Sequence, residues 1–537
     1  MPNKILKSLL LWTPISGSVI LLIILCLIIA PVVLNPFPPL HDYPHHLARI
    51  IILSDLENQI YHQFYKHGSF LIPNMAMEII AVPLAHLIGA EAASRLFVML
   101  SLLSMMLGTV MLHKVAHKRF SPWPLLAVMF LFNCFFRFGF LNYIFGIGAS
   151  FFAASIWLSI KPGYNRFFLT LLTSFILILL HFSAFGIFAL LVCSFEIYET
   201  TMRWQQKKVK QSVIQLLVTT IPFFITISLF MMFSPTAEII SEKFAYPSYL
   251  GAKPFGALYS ILTGITWLNI VCLSSLVFAV SLTIYTKSIK ISSPLSIAFI
   301  VISIALVLLP SSLMGNVFVD VRLGPVIALL GIAAIDIKAN YLKMNSVIAG
   351  LAILLAILIS IGVSYQWREF NTIITKNISA FDTTEVGATI FSATSLPDPQ
   401  LITDTPERRA AWNPTLKHIA SYAVLYGAKF VPMTFANPRM QPLNVSDEYL
   451  AIKAFQGDNP RKVINGSQLT KFIMEIKKNV LNENWPKLHN IYIFVMGFER
   501  VKDSFDISDF NDEVKIIEFD NNHILLSLIL PIKPNKK

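Results

Sequence analysis

Runs of apolar residues long enough to cross a lipid bilayer recur along the first two thirds of this 537-residue chain, and no other feature limits its folding so tightly. A helix needs about 20 mostly apolar residues to span the hydrocarbon layer. Such runs stand at 9–34, 91–112, 122–140, 141–160, 211–234, 258–285, 292–310 and 345–365. Residues 167–198 exceed one straight crossing and break at His181-Phe182-Ser183 into two shorter ones, and 323–338 adds a short span. Met75 to Gly89 is either a crossing or a re-entrant helix. The chain is 13% charged with a mean hydropathy of +0.66, against about 25% charged for soluble domains. Lipid must therefore be the solvent for most of it, and each span must be helical so that its backbone hydrogen bonds close within the segment. We expect about 11–13 crossings.

Charge divides the chain in two. Nineteen of the 30 Asp and Glu residues follow Gln366, which marks residues 1–366 as a membrane domain and 367–537 as a soluble one. The net charge of +12 sits in short clusters between apolar runs, such as Arg203 with Lys207, Lys208 and Lys210. That is the signature of the positive-inside rule and not of a nucleic-acid surface. Placing the basic turns 113–119, 161–166, 203–210, 287–290 and 338–343 in the cytoplasm makes 9–34 an uncleaved anchor and the C-terminal domain extracytoplasmic. The first loop 35–74, the turn at His181, and the loops 235–257 and 311–322 then share the outer face. The four cysteines all lie in apolar segments, so no disulfide is expected in the soluble domain. Its patterning predicts helices near 414–426 and 468–481 and strands at 429–434, 489–497, 513–519 and 523–530, a small α/β module.

The first outer loop carries the densest ionisable cluster. It contains His41-Asp42-Tyr43-Pro44-His45-His46-Leu47-Ala48-Arg49. Pro44 suits a first helical turn, which sets His45 and Arg49 on one face. Ionisable groups at a membrane boundary are functional candidates. Asp42, His45 and His46 could serve as a general base or hold a divalent cation. The plain alternative is that Asp42 only caps the helix, as Asp commonly does. Farther on, Asp320 and Arg322 precede a crossing. A guanidinium fork there suits a phosphate headgroup, unless Arg322 merely pairs with Asp320. Arg137 and Asn142 flank an outer turn. Gly146 and Gly148 follow and suit close helix packing. His181 sits at its helix break as either a cavity residue or a satisfied polar group. His418 and Phe435-Ala436-Asn437-Pro438-Arg439 read as structural turns.

Taken together, these features resemble the GT-C superfamily of integral-membrane glycosyltransferases. Its members begin with one crossing and a long outer loop bearing an essential acid near its start, the position Asp42 occupies. Pro73-Asn74, Gly89 and Ala92-Ala93-Ser94-Arg95 match the family's following landmarks, although the loop here has one acid and not an Asp-Glu pair. The resemblance implies a sugar transferred from a polyprenyl phosphate to a glycan, lipid or protein acceptor of the cell envelope. Asp42 (with His45 and His46) would be catalytic, and Arg49, Arg137, Asn142, His181, Asp320 and Arg322 would bind substrate. It implies the inner membrane of a bacterium, no certain cofactor and a possible divalent cation. A flippase for a lipid-linked glycan and a non-catalytic assembly protein remain the alternatives. A transporter would carry polar residues near the midplane, whereas here they gather at one face.

Overall fold

The computed structural model describes residues 14–237, 252–313, 316–395, 416–482, 484–488, 490–510, 512–520 and 522–529. Among them, seven helices are long and apolar enough to cross a membrane. These are Ser16–Leu34, Ala90–His117, Leu141–Ser159, Phe182–Gln205, Val209–Phe233, Thr266–Tyr285 and Leu342–Thr383. Ala76–Ile88, Tyr164–Leu180, Ser293–Leu308 and Leu323–Ala334 are shorter apolar helices. Most of the expected loop 235–257 lies outside the described residues, as do 9–13, 414 and 415.

The chain forms two compact units. The first comprises Met1–Pro36, Phe70–Met77 and Arg95–Gln366. Its helices pack closely where glycines allow it. A Cβ on Gly148 would stand 2.1 Å from the Ser104 hydroxyl, and one on Gly108 would stand 2.6 Å from the Gly148 carbonyl. Helices Ala90–His117 and Leu141–Ser159 therefore meet backbone to backbone. The chain also breaks at His181 as expected, ending one helix and capping the next.

One sequence expectation fails in this unit. Residues 122–140 do not cross as one helix. They form a 3₁₀ segment, Trp123–Phe130, and a short helix, Cys134–Phe138. Pro122 and Pro124 remove two donors at the start. Asn133 then accepts from Phe136 N at 3.1 Å and starts a new helix. Trp123 and Leu131 are fully buried, so this apolar run faces protein and not lipid. The crossing expected at 258–285 is present as Thr266–Tyr285, with a separate short helix, Ala252–Ser260, before it. Gly264 makes the turn between them at φ +79°, where glycine alone is unstrained.

The second unit comprises Phe37–Ser69, Glu78–Ser94 and Trp367–Lys537. Its sheet has strands β1 Thr389–Thr394, β2 Arg461–Lys462, β3 Ile491–Met496, β4 Val514–Phe519 and β5 His523–Leu528. Their spatial order is β4-β5-β3-β1-β2. β4, β5 and β3 pair antiparallel, while β1 runs parallel to β3 and β2. Every residue of β1 and β3 is buried, as parallel strands covered on both faces require. Helix Gly466–Leu481 buries Leu469, Phe472, Ile473 and Ile476. The strand expected at 429–434 is reduced to one bridge, Thr389 with Phe430. Pro432 has no N–H to continue a ladder. In place of the helix expected near 414–426 there is a 3₁₀ segment, Ile419–Tyr426.

Residues Phe37–Ser69 of the first loop belong to this unit. Helix Tyr43–Ser54 packs on Ile419–Tyr426. Tyr65–His67 forms an antiparallel ladder with Leu443–Val445. Phe37 exchanges two hydrogen bonds with the Asn371 amide, at 2.9 and 2.8 Å.

Candidate functional site

Helix Tyr43–Ser54 starts as its sequence demands, with Pro44 in the first turn, and Asp42 occupies the N-cap position. Its side chain, however, makes no capping hydrogen bond. The carboxylate turns instead toward imidazoles. Oδ1 stands 3.4 Å from His418 Nδ1 and 3.8 Å from His41 Nε2. Burial pushes the Asp42 pKa up, but the His418 hydrogen bond and the charges of His41, His418 and His46 outweigh it and hold the group below its ordinary value. Asp42 is therefore an ionised, nearly buried carboxylate that is not spent on a cap.

His418, expected from the sequence to lie in a structural turn, is the hub of this cluster. Its Nε2 lies 3.2 Å from Asn459 Oδ1 and its Nδ1 lies 3.2 Å from the His41 carbonyl. Its ring sits 4.3 Å from His41 and 4.0 Å from His45, centroid to centroid. His45 stacks on Phe435 at 4.0 Å and pairs through Nδ1 with the Ser421 hydroxyl at 2.8 Å. Its buried Nε2 has no hydrogen-bond partner among the described residues. Burial, reinforced by the charges of His418, Lys453, His41 and His46, drives the His45 pKa well below its ordinary value, so this ring stays neutral. Ligand atoms of His41, Asp42 and His418 lie within 4.8 Å of one another, a spacing at which a divalent ion could be held.

His46 and Arg49 serve a second network. Arg49 donates to His46 Nδ1 at 3.0 Å, to Gln441 Oε1 at 2.5 Å and through Nε to Glu78 Oε1 at 2.6 Å. A guanidinium only donates, so His46 Nδ1 is an acceptor and its lone pair is occupied.

In the first unit the expected residues are distributed differently. Asn142 is tied at both ends to backbone, accepting from Met77 N at 2.7 Å and donating to Asn74 O at 2.6 Å. His181 Nδ1 accepts from Ser183 N at 3.0 Å. Asp320 lies 3.5 Å from Lys253 Nζ, which also donates to the carbonyls of Val307 and Leu309. The Arg322 guanidinium lies over the Phe140 ring at 4.8 Å and donates to Val317 O at 3.0 Å. Arg137 rests against bare backbone. A Cβ on Gly264 would fall 1.6 Å from its Nη1.

A cavity of about 390 Å³, lined by Phe135, Phe138, Lys253, Tyr259 and Asp320 among others, opens here. A second, of about 480 Å³, is lined by apolar residues including Trp123, Phe130, Phe299 and Ile332. Lys253 is 1% exposed and is not among the candidates its sequence suggests. A single lysine at the start of a short helix carries no local signal, and only its distant partners set it apart.

No protein-family model and no curated protein matches the chain. Solved structures do. ArnT from Cupriavidus metallidurans bound to undecaprenyl phosphate aligns with a TM-score of 0.51 at 11% identity, over 96% of this chain and 99% of that one. The same protein in the apo state aligns with a TM-score of 0.50 at 12% identity, over 97% and 100%. The chain thus shares the fold of these structures, the GT-C fold, over nearly all of its length and is a multi-pass integral membrane protein.

Proposed function

We propose that this protein is a membrane glycosyltransferase that moves a sugar from a polyprenyl-phosphate donor to a cell-envelope acceptor, at the outer face of a bacterial inner membrane. Asp42 carries the reading. It is an ionised carboxylate at the start of the first loop, free of helix capping, where the GT-C resemblance expects the essential acid. The likeness to a protein that holds undecaprenyl phosphate supports a polyprenyl phosphate as the carrier.

In this reading Asp42 orients the acceptor hydroxyl, which attacks the anomeric carbon as the lipid phosphate departs. The hydroxyl becomes far more acidic once its oxygen bonds to that carbon. A carboxylate below its ordinary range can then still take the proton, and its low pKa keeps it ionised until that moment. His45 resists protonation and His46 has its Nδ1 occupied, so neither competes for the role. Arg137 and Arg322 are assigned to the phosphate, for which guanidinium forks are suited. Lys253 adds positive charge beside the smaller cavity, and the apolar cavities suit a prenyl tail. Asn142, His181 and Asp320 hold the surrounding backbone and Lys253. If transfer uses a divalent cation, His41, Asp42 and His418 are its ligands.

The test is mass spectrometry of envelope glycans and polyprenyl-phosphate sugars in a deletion strain. One glycan modification should disappear while its lipid-linked sugar accumulates, and Asp42→Asn should fail to restore it. An unchanged envelope together with an unchanged lipid-sugar pool would sink the reading.

A further inference from the structure

We infer that His418 is a positioning residue for the Asp42 carboxylate, so that the C-terminal segment completes the chemistry of the first loop. The functional consequence rests on the glycosyltransferase reading above, whereas the geometry does not. His418 Nδ1 faces the His41 carbonyl at 3.2 Å and Asp42 Oδ1 at 3.4 Å. Both groups only accept, so Nδ1 carries the hydrogen. The Asn459 amide at Nε2 can present either its oxygen or its nitrogen and so fits the ring in that form. The ring itself is fixed. It is 2% exposed and lies between the rings of His41 and His45.

A carboxylate torsion is broad and roughly two-fold, so an unheld Asp42 would exchange its oxygens. His418 Nδ1 hydrogen-bonds to the His41 carbonyl and faces Oδ1 at the longer distance of 3.4 Å, while Oδ2 has no hydrogen bond among the described residues. One oxygen faces the fixed imidazole and the other is left to meet a hydroxyl. This matters because loss of near-attack geometry costs on the order of 10²-fold in rate.

The experiment uses the full chain in lipid nanodiscs, with undecaprenyl-phosphate glucose and undecaprenyl-phosphate mannose as donor probes. His418→Ala should lower kcat about 10- to 100-fold and leave the donor KM within about twofold. His418→Asn places an amide N–H near the position of Nδ1 and should regain about tenfold of that loss. A folded His418→Ala with wild-type kcat, or His418→Asn no better than His418→Ala, overturns the inference. If the wild type consumes neither probe, or Asp42→Asn consumes them as well as wild type, it is the glycosyltransferase reading that falls. The positioning contact is then decided without turnover, by ¹⁵N spectra of histidine-labelled protein. The His418 signal, identified by its loss in His418→Ala, should show a protonated Nδ1 and should shift in Asp42→Asn. An unprotonated Nδ1, or a signal indifferent to Asp42→Asn, overturns the contact. So does stoichiometric Zn²⁺ binding that His418→Ala abolishes, because the ion would occupy the Nδ1 lone pair.

Discussion

Arg49 donates through both Nε and Nη2 to the Glu78 carboxylate, and neither side chain is more than 3% exposed. The pair ties the first-loop helix to the start of the next segment inside one unit. Gln441 on the third Arg49 nitrogen adds the C-terminal segment. Removing one partner of a buried pair strands the other charge, at a cost of about 3–5 kcal/mol. Arg49→Ala should therefore lower the thermal midpoint sharply, and the combined Arg49→Met, Glu78→Leu change should recover much of the loss. A midpoint unchanged in Arg49→Ala would show that Arg49 is not a structural clamp.

Asp42→Asn separates base from cap. The amide keeps the shape and cannot take a proton, so turnover should drop by about 10²–10⁴-fold while donor binding stays nearly normal. Near-normal steady-state activity in a folded variant would return Asp42 to a structural role.

The Arg322 guanidinium lies over the Phe140 and Tyr143 rings, at 4.8 and 5.8 Å. Arg322→Lys keeps the charge but loses both the flat stacking surface and the bidentate fork. The donor KM should rise by about tenfold while kcat changes less. Equal donor kinetics in Arg322→Ala and wild type would remove this residue from the phosphate site.

Asp42 also predicts a stability profile. Its folded-state pKa lies below the ordinary 3.8, so its contribution is present above that value and is lost as pH falls through the depressed one. His41, His46 and His418 face the carboxylate and supply the shift. Once the histidines are charged, the stability gap between wild type and Asp42→Asn should hold above the ordinary 3.8 and shrink as the pH falls below it. A gap that widens as the pH falls below 3.8 would contradict this.

The positive-inside pattern expects the segment after Gln366 on the side opposite the basic turns. A phosphatase fused at the C-terminus should be active and a cytoplasm-only reporter silent. The reverse pair of results would invert the topology.

What the sequence determined by itself was local. Bilayer-length apolar runs fix helices because lipid leaves the backbone no other partners, so the spans at 141–160 and 211–234 and the break at His181 could be read directly. The acidic shift after Gln366 was equally legible, as was Asp42 as a candidate, standing at the start of a proline-initiated helix. The run 122–140 misled, because hydropathy does not distinguish burial in protein from burial in lipid. Tertiary structure alone decided which groups meet: His418 with Asp42, Gln441 with Arg49, and Lys253 with Asp320. These pairs are separated by 376, 392 and 67 positions, and no periodicity or local propensity links such distant side chains. Their contacts exist only once the first loop has folded into the C-terminal sheet unit and the membrane helices have packed.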